Sequence, residues 1–269
     1  MPKTRPTAST PASTAKRYSW PDSGATSSSA PGSARCFFMT ELFFPDYAAD
    51  RPAPARPIVI FGAGGLGREV LLLLTQLIEA GANWQVRGFY DDQPPAALPI
   101  AGLPYLGTSA DLNQTTEPLA VAVAVGSSAG RAAVVARLTS AQLSFPALVH
   151  PAAAPTAHQR VSLGEGCVVQ RGCILTCDIT LGRFVLLNLG CTVGHDATLG
   201  DFCSLMPHVN VGGGAQLGAG TYLGTNATVI HAVRVGAGAT IGAGAVVVRD
   251  LPAGVTAVGV PAKELRVKS

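Results

Sequence analysis

The chain has 269 residues, 48% of them apolar and 13% charged, with a formal net charge of +3. That is ample material for two modest cores, while the positive charge is too small and too scattered to indicate nucleic acid. No apolar run approaches the roughly 20 residues that a membrane-spanning helix requires, so the chain reads as soluble with no membrane partner.

Residues 1–55 differ in character from the rest of the chain. Between Thr7 and Arg35 the sequence is mostly Ser, Thr, Ala and Pro, with Asp22 its one acidic residue and no period. Such a stretch does not bury enough apolar surface to fold alone and reads as disordered. Basic, serine-rich, acid-poor leaders serve as targeting segments. No amphipathic arginine-bearing helix accompanies this one, which favours an over-extended start with Met39 as the initiator, leaving residues 1–38 outside the protein proper. Neither reading gives the segment any chemistry.

From 56 to 151 strand and helix patterns alternate. Pro57–Phe61 is a buried strand, Gly62-Ala63-Gly64-Gly65-Leu66-Gly67 a glycine turn, and Arg68–Glu79 a helix with Val70, Leu73, Leu74, Leu77 and Ile78 at helical spacing. Val86–Tyr90 is a second strand, ending at Asp91-Asp92. Leu119–Val125 is wholly apolar and therefore a central parallel strand. Gly130–Leu138 is a further helix and Ser144–Val149 a last strand. The pattern predicts a short α/β domain of Rossmann type. Gly62, Gly64 and Gly67 satisfy GxGxxG between a strand and a helix, with Asp91 and Asp92 closing the next strand. A dinucleotide is the first reading of that motif, yet the domain is under half the length of a full dinucleotide fold.

Residues 152–269 are governed by a six-residue period. From Leu163, every sixth residue through Val169, Leu175, Leu181 and onward to Ile241 and Val247 is Leu, Val or Ile. Glycine often comes next, as at Gly182, Gly194 and Gly212, and small residues such as Cys167, Cys191, Ala215 and Ala239 stand two positions before. The aliphatic residue therefore points inward, a tolerant residue turns the corner, and a small one fills the remaining inner space. Self-similarity at a fixed period marks a solenoid. Its register makes Cys167, Cys173, Cys191 and Cys203 core residues. Cys173 and Cys177 lack the second pair that a zinc site needs, so neither metal nor disulfide is expected, and reduced thiols suit a cytoplasmic protein.

The hexad series resembles the hexapeptide-repeat acyltransferases, whose strands wind into a three-sided left-handed parallel β-helix. Three hexads form one coil there, so residues 18 apart stack. A narrower resemblance, over roughly 56–266, is to the sialic acid O-acetyltransferase and nucleotide-aminosugar N-acetyltransferase (NeuD/PglD-like) family, which places such a helix after a Rossmann-like domain. Asn188-Leu-Gly-Cys-Thr-Val-Gly-His195-Asp196 and the ending Gly259-Val-Pro-Ala-Lys263 carry it.

The resemblance implies an enzyme that transfers acetyl from acetyl-CoA, with no metal. His195 would be the general base, Asp196 its orienting partner, and Gly213, one coil above, an oxyanion donor. Asn188 matches a polar partner of the family's site. Gly213, Gly214 and His231 would lie along CoA. In the family the glycine turn holds the diphosphate of a nucleotide-linked sugar, which assigns Gly62, Gly64, Gly65, Gly67, Asp91 and Asp92 to that substrate, against NAD or a merely structural turn. N-acetylation of a nucleotide-linked amino sugar leads. O-acetylation of a sialic acid and a non-catalytic trimeric nucleotide-binding scaffold are the alternatives. Family members usually form trimers with the site between subunits. Leu66 and Ser204 stand where relatives often carry histidine, the latter thought to position the acceptor.

Overall fold

The computed structural model describes residues 54–96 and 100–265, and the reading of the leader falls outside them. In the first part β1 (Arg56–Phe61), α1 (Gly65–Glu79), β2 (Trp84–Tyr90), β3 (Tyr105–Gly107), α2 (Ser109–Leu112), β4 (Leu119–Val123), α3 (Ser128–Arg137) and β5 (Leu143–Ser144) come in order. The sheet is parallel, ordered β3-β2-β1-β4-β5. Thus β1 is central, and β4, wholly apolar, lies inside between β1 and β5. β3 and α2 were not legible: β3 is three residues long, and α2 is a single turn held by a reciprocal Thr108–Asp111 cap. Helix α3 starts two residues earlier than the periodicity suggests because Ser127 caps it, its hydroxyl accepting from the Gly130 N–H.

The strand expected over 144–149 is two strands. Pro146 has no N–H to give a ladder, and the chain leaves the sheet there. Leu148–Val149 then pairs with Val168–Val169 as the first rung of the solenoid.

The remainder is a left-handed parallel β-helix of two-residue strands on three faces. Thr180 pairs with Thr198 and Leu181 with Leu199, the 18-residue step of one coil. Strands 162–163, 180–181, 198–199, 216–217 and 234–235 form the first face. Strands 168–169, 186–187, 204–205, 222–223 and 240–241 belong to the second, and 174–175, 192–193, 210–211, 228–229 and 246–247 form the third. Each hexad aliphatic from Val169 to Val247 is buried, as are the small residues between, so the four cysteines are core atoms. Corners take the left-handed conformation: Asp178, Phe184, Asp196, Phe202, His208, Asn226 and Ala232 hold φ between 54° and 59°. Each costs about 1–2 kcal/mol, tolerated because the ladders on either side fix the turn.

The α/β domain sits on the second face. Outward side chains there (Val168, Leu186, Ser204) are buried, whereas Thr180 and Thr198 on the first face and Ile174 on the third are exposed. Val168 and Leu186 pack with β1, α1 and Phe89. Phe184 enters the core on the other side of the sheet with Val59, Phe61, Val121 and Val134, stacking on Phe202 at 5.3 Å. Between them lies Arg131, 2% exposed and with no carboxylate partner among the described residues. Its Nε donates to Phe184 O (2.9 Å), Nη1 to Val125 O (2.7 Å), and Nη2 to Phe202 O (3.0 Å), Cys203 O (3.0 Å) and Ser204 Oγ (2.9 Å). Burial pushes its pKa down to about 10, so the guanidinium stays charged at neutral pH.

Candidate active site

His195 lies on the corner where the third face turns into the first, directly after Thr192–Val193. The left-handed turn at Asp196 brings its carboxylate back beside the imidazole, and the His195 Nδ1–H donates to Asp196 Oδ2 at 2.7 Å. An ionised carboxylate only accepts, so the proton sits on Nδ1 and Nε2 carries the free lone pair. That nitrogen faces Gly213, where an added Cβ would stand 2.5 Å from it. Gly213 is therefore glycine to leave room for the ring. Its N–H makes no hydrogen bond among the described residues, while its neighbour Gly214 donates to His195 O at 2.6 Å. The His195 imidazole and the Gly213 backbone are thus adjacent, as the coil spacing implies. His231 occupies the same position one coil above Gly213 and two above His195, and is exposed. Arg249 is the next residue at that spacing, a cation that sequence reading missed and the 18-residue step reveals. A groove of about 670 Å³ runs along the first face past Thr198, Gln216, Arg234 and Asp250.

Asn188 is not beside His195. It lies on the corner between the second and third faces, and its Oδ1 accepts from the Leu189 N–H at 2.8 Å. The amide NH2 is left without a protein partner among the described residues. Ser204, where relatives often carry histidine, lies at the contact with the α/β domain. It is fully buried against α3, bonded to Ser128 Oγ (2.9 Å), Gly126 O (2.9 Å) and Arg131.

The glycine turn divides into two roles. A Cβ on Gly62, at φ +113°, would meet Ala124 O at 2.5 Å, and one on Gly67 would meet Gly62 O at 2.0 Å. These two permit the turn and the strand–helix contact. Gly64 and Gly65 face open space at the start of α1, whose first turn has no acidic residue, which is the arrangement that takes an anion. Asp91 receives the Ala63 N–H at 2.8 Å and the Gln93 N–H at 2.9 Å. It borders a cleft of about 510 Å³ with Gly64, Arg68, Gln93 and Ile100. Arg68 is another cation the motif reading passed over, exposed on the first turn of α1.

Asp92 turns away from this cleft. It accepts from the Ser109 N–H at 2.9 Å and pairs with Arg137 at 2.5 Å. Partial burial would raise its pKa, but the hydrogen bonds from Ser109 and Arg137 outweigh this and hold it below the usual carboxylate range. Both aspartates follow the end of β2 at Tyr90, and in this structure Asp91 borders the cleft while the contacts of Asp92 are with Ser109 and Arg137.

Comparison with known proteins places these features in company. Residues 57–138 match the family model of the PglD N-terminal domain, and residues 214–249 that of the bacterial transferase hexapeptide repeat. No curated protein matches the chain. Among solved structures, PerB from Caulobacter crescentus in complex with CoA and GDP-perosamine is 34% identical over 78% of this chain and 97% of its own, with TM-score 0.71. The acetyltransferase domain of PglB from Neisseria gonorrhoeae is 31% identical over 78% and 100%, also at 0.71. WeeI from Acinetobacter baumannii is 28% identical over the same shares, at 0.64.

Proposed function

The chain belongs to the NeuD/PglD-like family of hexapeptide-repeat acetyltransferases, and on that premise we propose that it acetylates the amino group of a sugar carried on a nucleoside diphosphate, with acetyl-CoA as donor. The observation that carries this reading is the His195–Asp196 pair with Nε2 open over Gly213. The amine nitrogen attacks the thioester carbonyl carbon while Nε2 takes its proton. The oxyanion that forms is met by the Gly213 N–H. As the C–S bond breaks, the proton passes from Nε2 to the departing thiolate, leaving an N-acetyl sugar and free CoA thiol. In that scheme the bare backbone of Gly213 and Gly214, with His231 above, borders CoA, and Arg249 is placed to meet its phosphates.

The nucleotide belongs to the other domain. Gly64 and Gly65 with Arg68 would hold the diphosphate, and Asp91 would border the base or ribose. The complex of PerB with CoA and GDP-perosamine supports an acceptor carried on a nucleoside diphosphate and a CoA-linked donor.

Two features support a homotrimer. The His195 and Asp196 side chains are 67% and 66% exposed, and a general base working against a thioester benefits from a site closed to bulk water. Asn188 stands on another corner of the same prism and joins the site only when a neighbouring subunit brings its own His195 to it. Screening acetyl transfer to UDP-, dTDP- and GDP-linked amino sugars and to free sialic acid tests the acceptor. His195→Ala should lower kcat/KM about 100- to 10,000-fold with CoA binding retained; an unchanged rate removes the base.

A further inference from the structure

A β-helix made from one repeated hexad offers a docked domain a series of near-equivalent seats, one rung or about 4.8 Å apart. The active-site reading, on which this inference rests, requires one seat only, since the nucleotide and His195 must meet across a fixed distance. Apolar burial does not select it, because aliphatic or aromatic outward residues recur on the second face at Val168, Leu186 and Tyr222.

Arg131 selects it. Its guanidinium is filled by carbonyls from both domains: Val125 on the loop after β4, and Phe184, Phe202 and Cys203 on two successive coils. The side-chain acceptor is Ser204, which also donates to Gly126 O and receives from Ser128. One rung lower Leu186 would stand in its place, with no hydroxyl. One rung higher it would be Tyr222, too large for the gap.

The gripped loop touches the nucleotide turn: Ala124 N–H donates to Phe61 O at 2.7 Å, Ala124 O lies against the Cα of Gly62, and Leu66 packs near Gly126. The gripped rung begins on the corner immediately following the strand (Thr198–Leu199) that leads away from His195. We infer that Arg131 is a positioning residue for acetyl transfer, indexing the nucleotide-binding domain to the coil that carries His195.

The test compares full-length wild type with Arg131→Met, Arg131→Lys and Ser204→Ala. Turnover is measured on GDP-perosamine and on UDP- and dTDP-linked 4-amino sugars. Binding of CoA and of the free nucleoside diphosphates is measured by calorimetry. Each partner site lies within one domain, so both affinities should stay within about threefold. The kcat of Arg131→Met should fall by about tenfold or more, as expected for a reacting group displaced by an ångström. Arg131→Lys retains the charge without the planar fork and should recover folding but not kcat. Ser204→Ala, which removes the hydroxyl's three bonds to Arg131, Ser128 and Gly126, should fall about threefold and decides the matter if Arg131→Met does not fold. Unchanged kcat per folded enzyme in Ser204→Ala and Arg131→Lys overturns the inference, as does a loss that appears equally in CoA affinity. A wild type that acetylates none of these acceptors overturns the functional reading itself, and this inference with it.

Discussion

At the scale of single residues, one bare backbone position governs the candidate base. Gly213 is not in the left-handed region, so alanine there meets no backbone penalty; the conflict is with the imidazole, whose Nε2, Cε1 and Cδ2 would all lie within 2.9 Å of the new methyl. Gly213→Ala should therefore leave the melting temperature within about 2 °C while reducing kcat about 10- to 100-fold through a displaced ring. A matched set of thermal scans and initial rates measures both, and a variant that loses stability without losing rate contradicts this account. Much of this corner was legible beforehand, because a hexad period converts sequence separation into spatial stacking. The orientation of Asp196 was not, since it depends on the left-handed φ at that residue. Nor did the sequence disclose that Asp92 serves Ser109 and Arg137, as that depends on where a one-turn helix happens to dock.

Among elements, the corners between the first and second faces do the joining. Gly166, Phe184 and Phe202 share one column, and a Cβ on Gly166 would stand 2.3 Å from the Phe184 ring. A glycine below thus makes room for an aromatic ring above, which leaves the prism and completes the core of the other domain. Phe184→Ala should cost about 3–5 kcal/mol, read as a lowered denaturant midpoint. Ile174→Ala, on the exposed third face, should change stability by less than about 0.5 kcal/mol. Equal effects would mean that Phe184 does not join the two cores. Hexads and glycine turn were readable because each repeats or punctuates a periodic pattern. The domain interface was not, because Arg131, Phe184 and Ser204 are 20 to 73 positions apart and no period relates the helix of one domain to the rungs of the other.

For the whole molecule, the separation of Asn188 and His195 onto different corners gives a genetic prediction. Chains carrying Asn188→Ala and chains carrying His195→Ala should each be inactive as homotrimers, their kcat reduced at least about tenfold. Mixed trimers formed by co-expression should regain about a third of wild-type activity, because one of the three sites in each then pairs an intact Asn188 with a neighbour's intact His195. Absence of recovery in purified mixed trimers would place both residues' action within one chain, or remove Asn188 from the site. The ends of the prism have a consequence of their own. On the second face Leu148–Val149 covers the first rung, and 263–264 folds back antiparallel on 256–258 over the last. The Gln159 side chain takes the carbonyls of Leu175 and Thr176 below the third face, and Ala262 N–H closes on Val246 O above it. An uncapped stack of identical parallel rungs is a growth front, able to recruit another copy end to end without limit. By occupying both fronts with irregular chain, this protein turns a motif capable of fibre formation into an object of finite length.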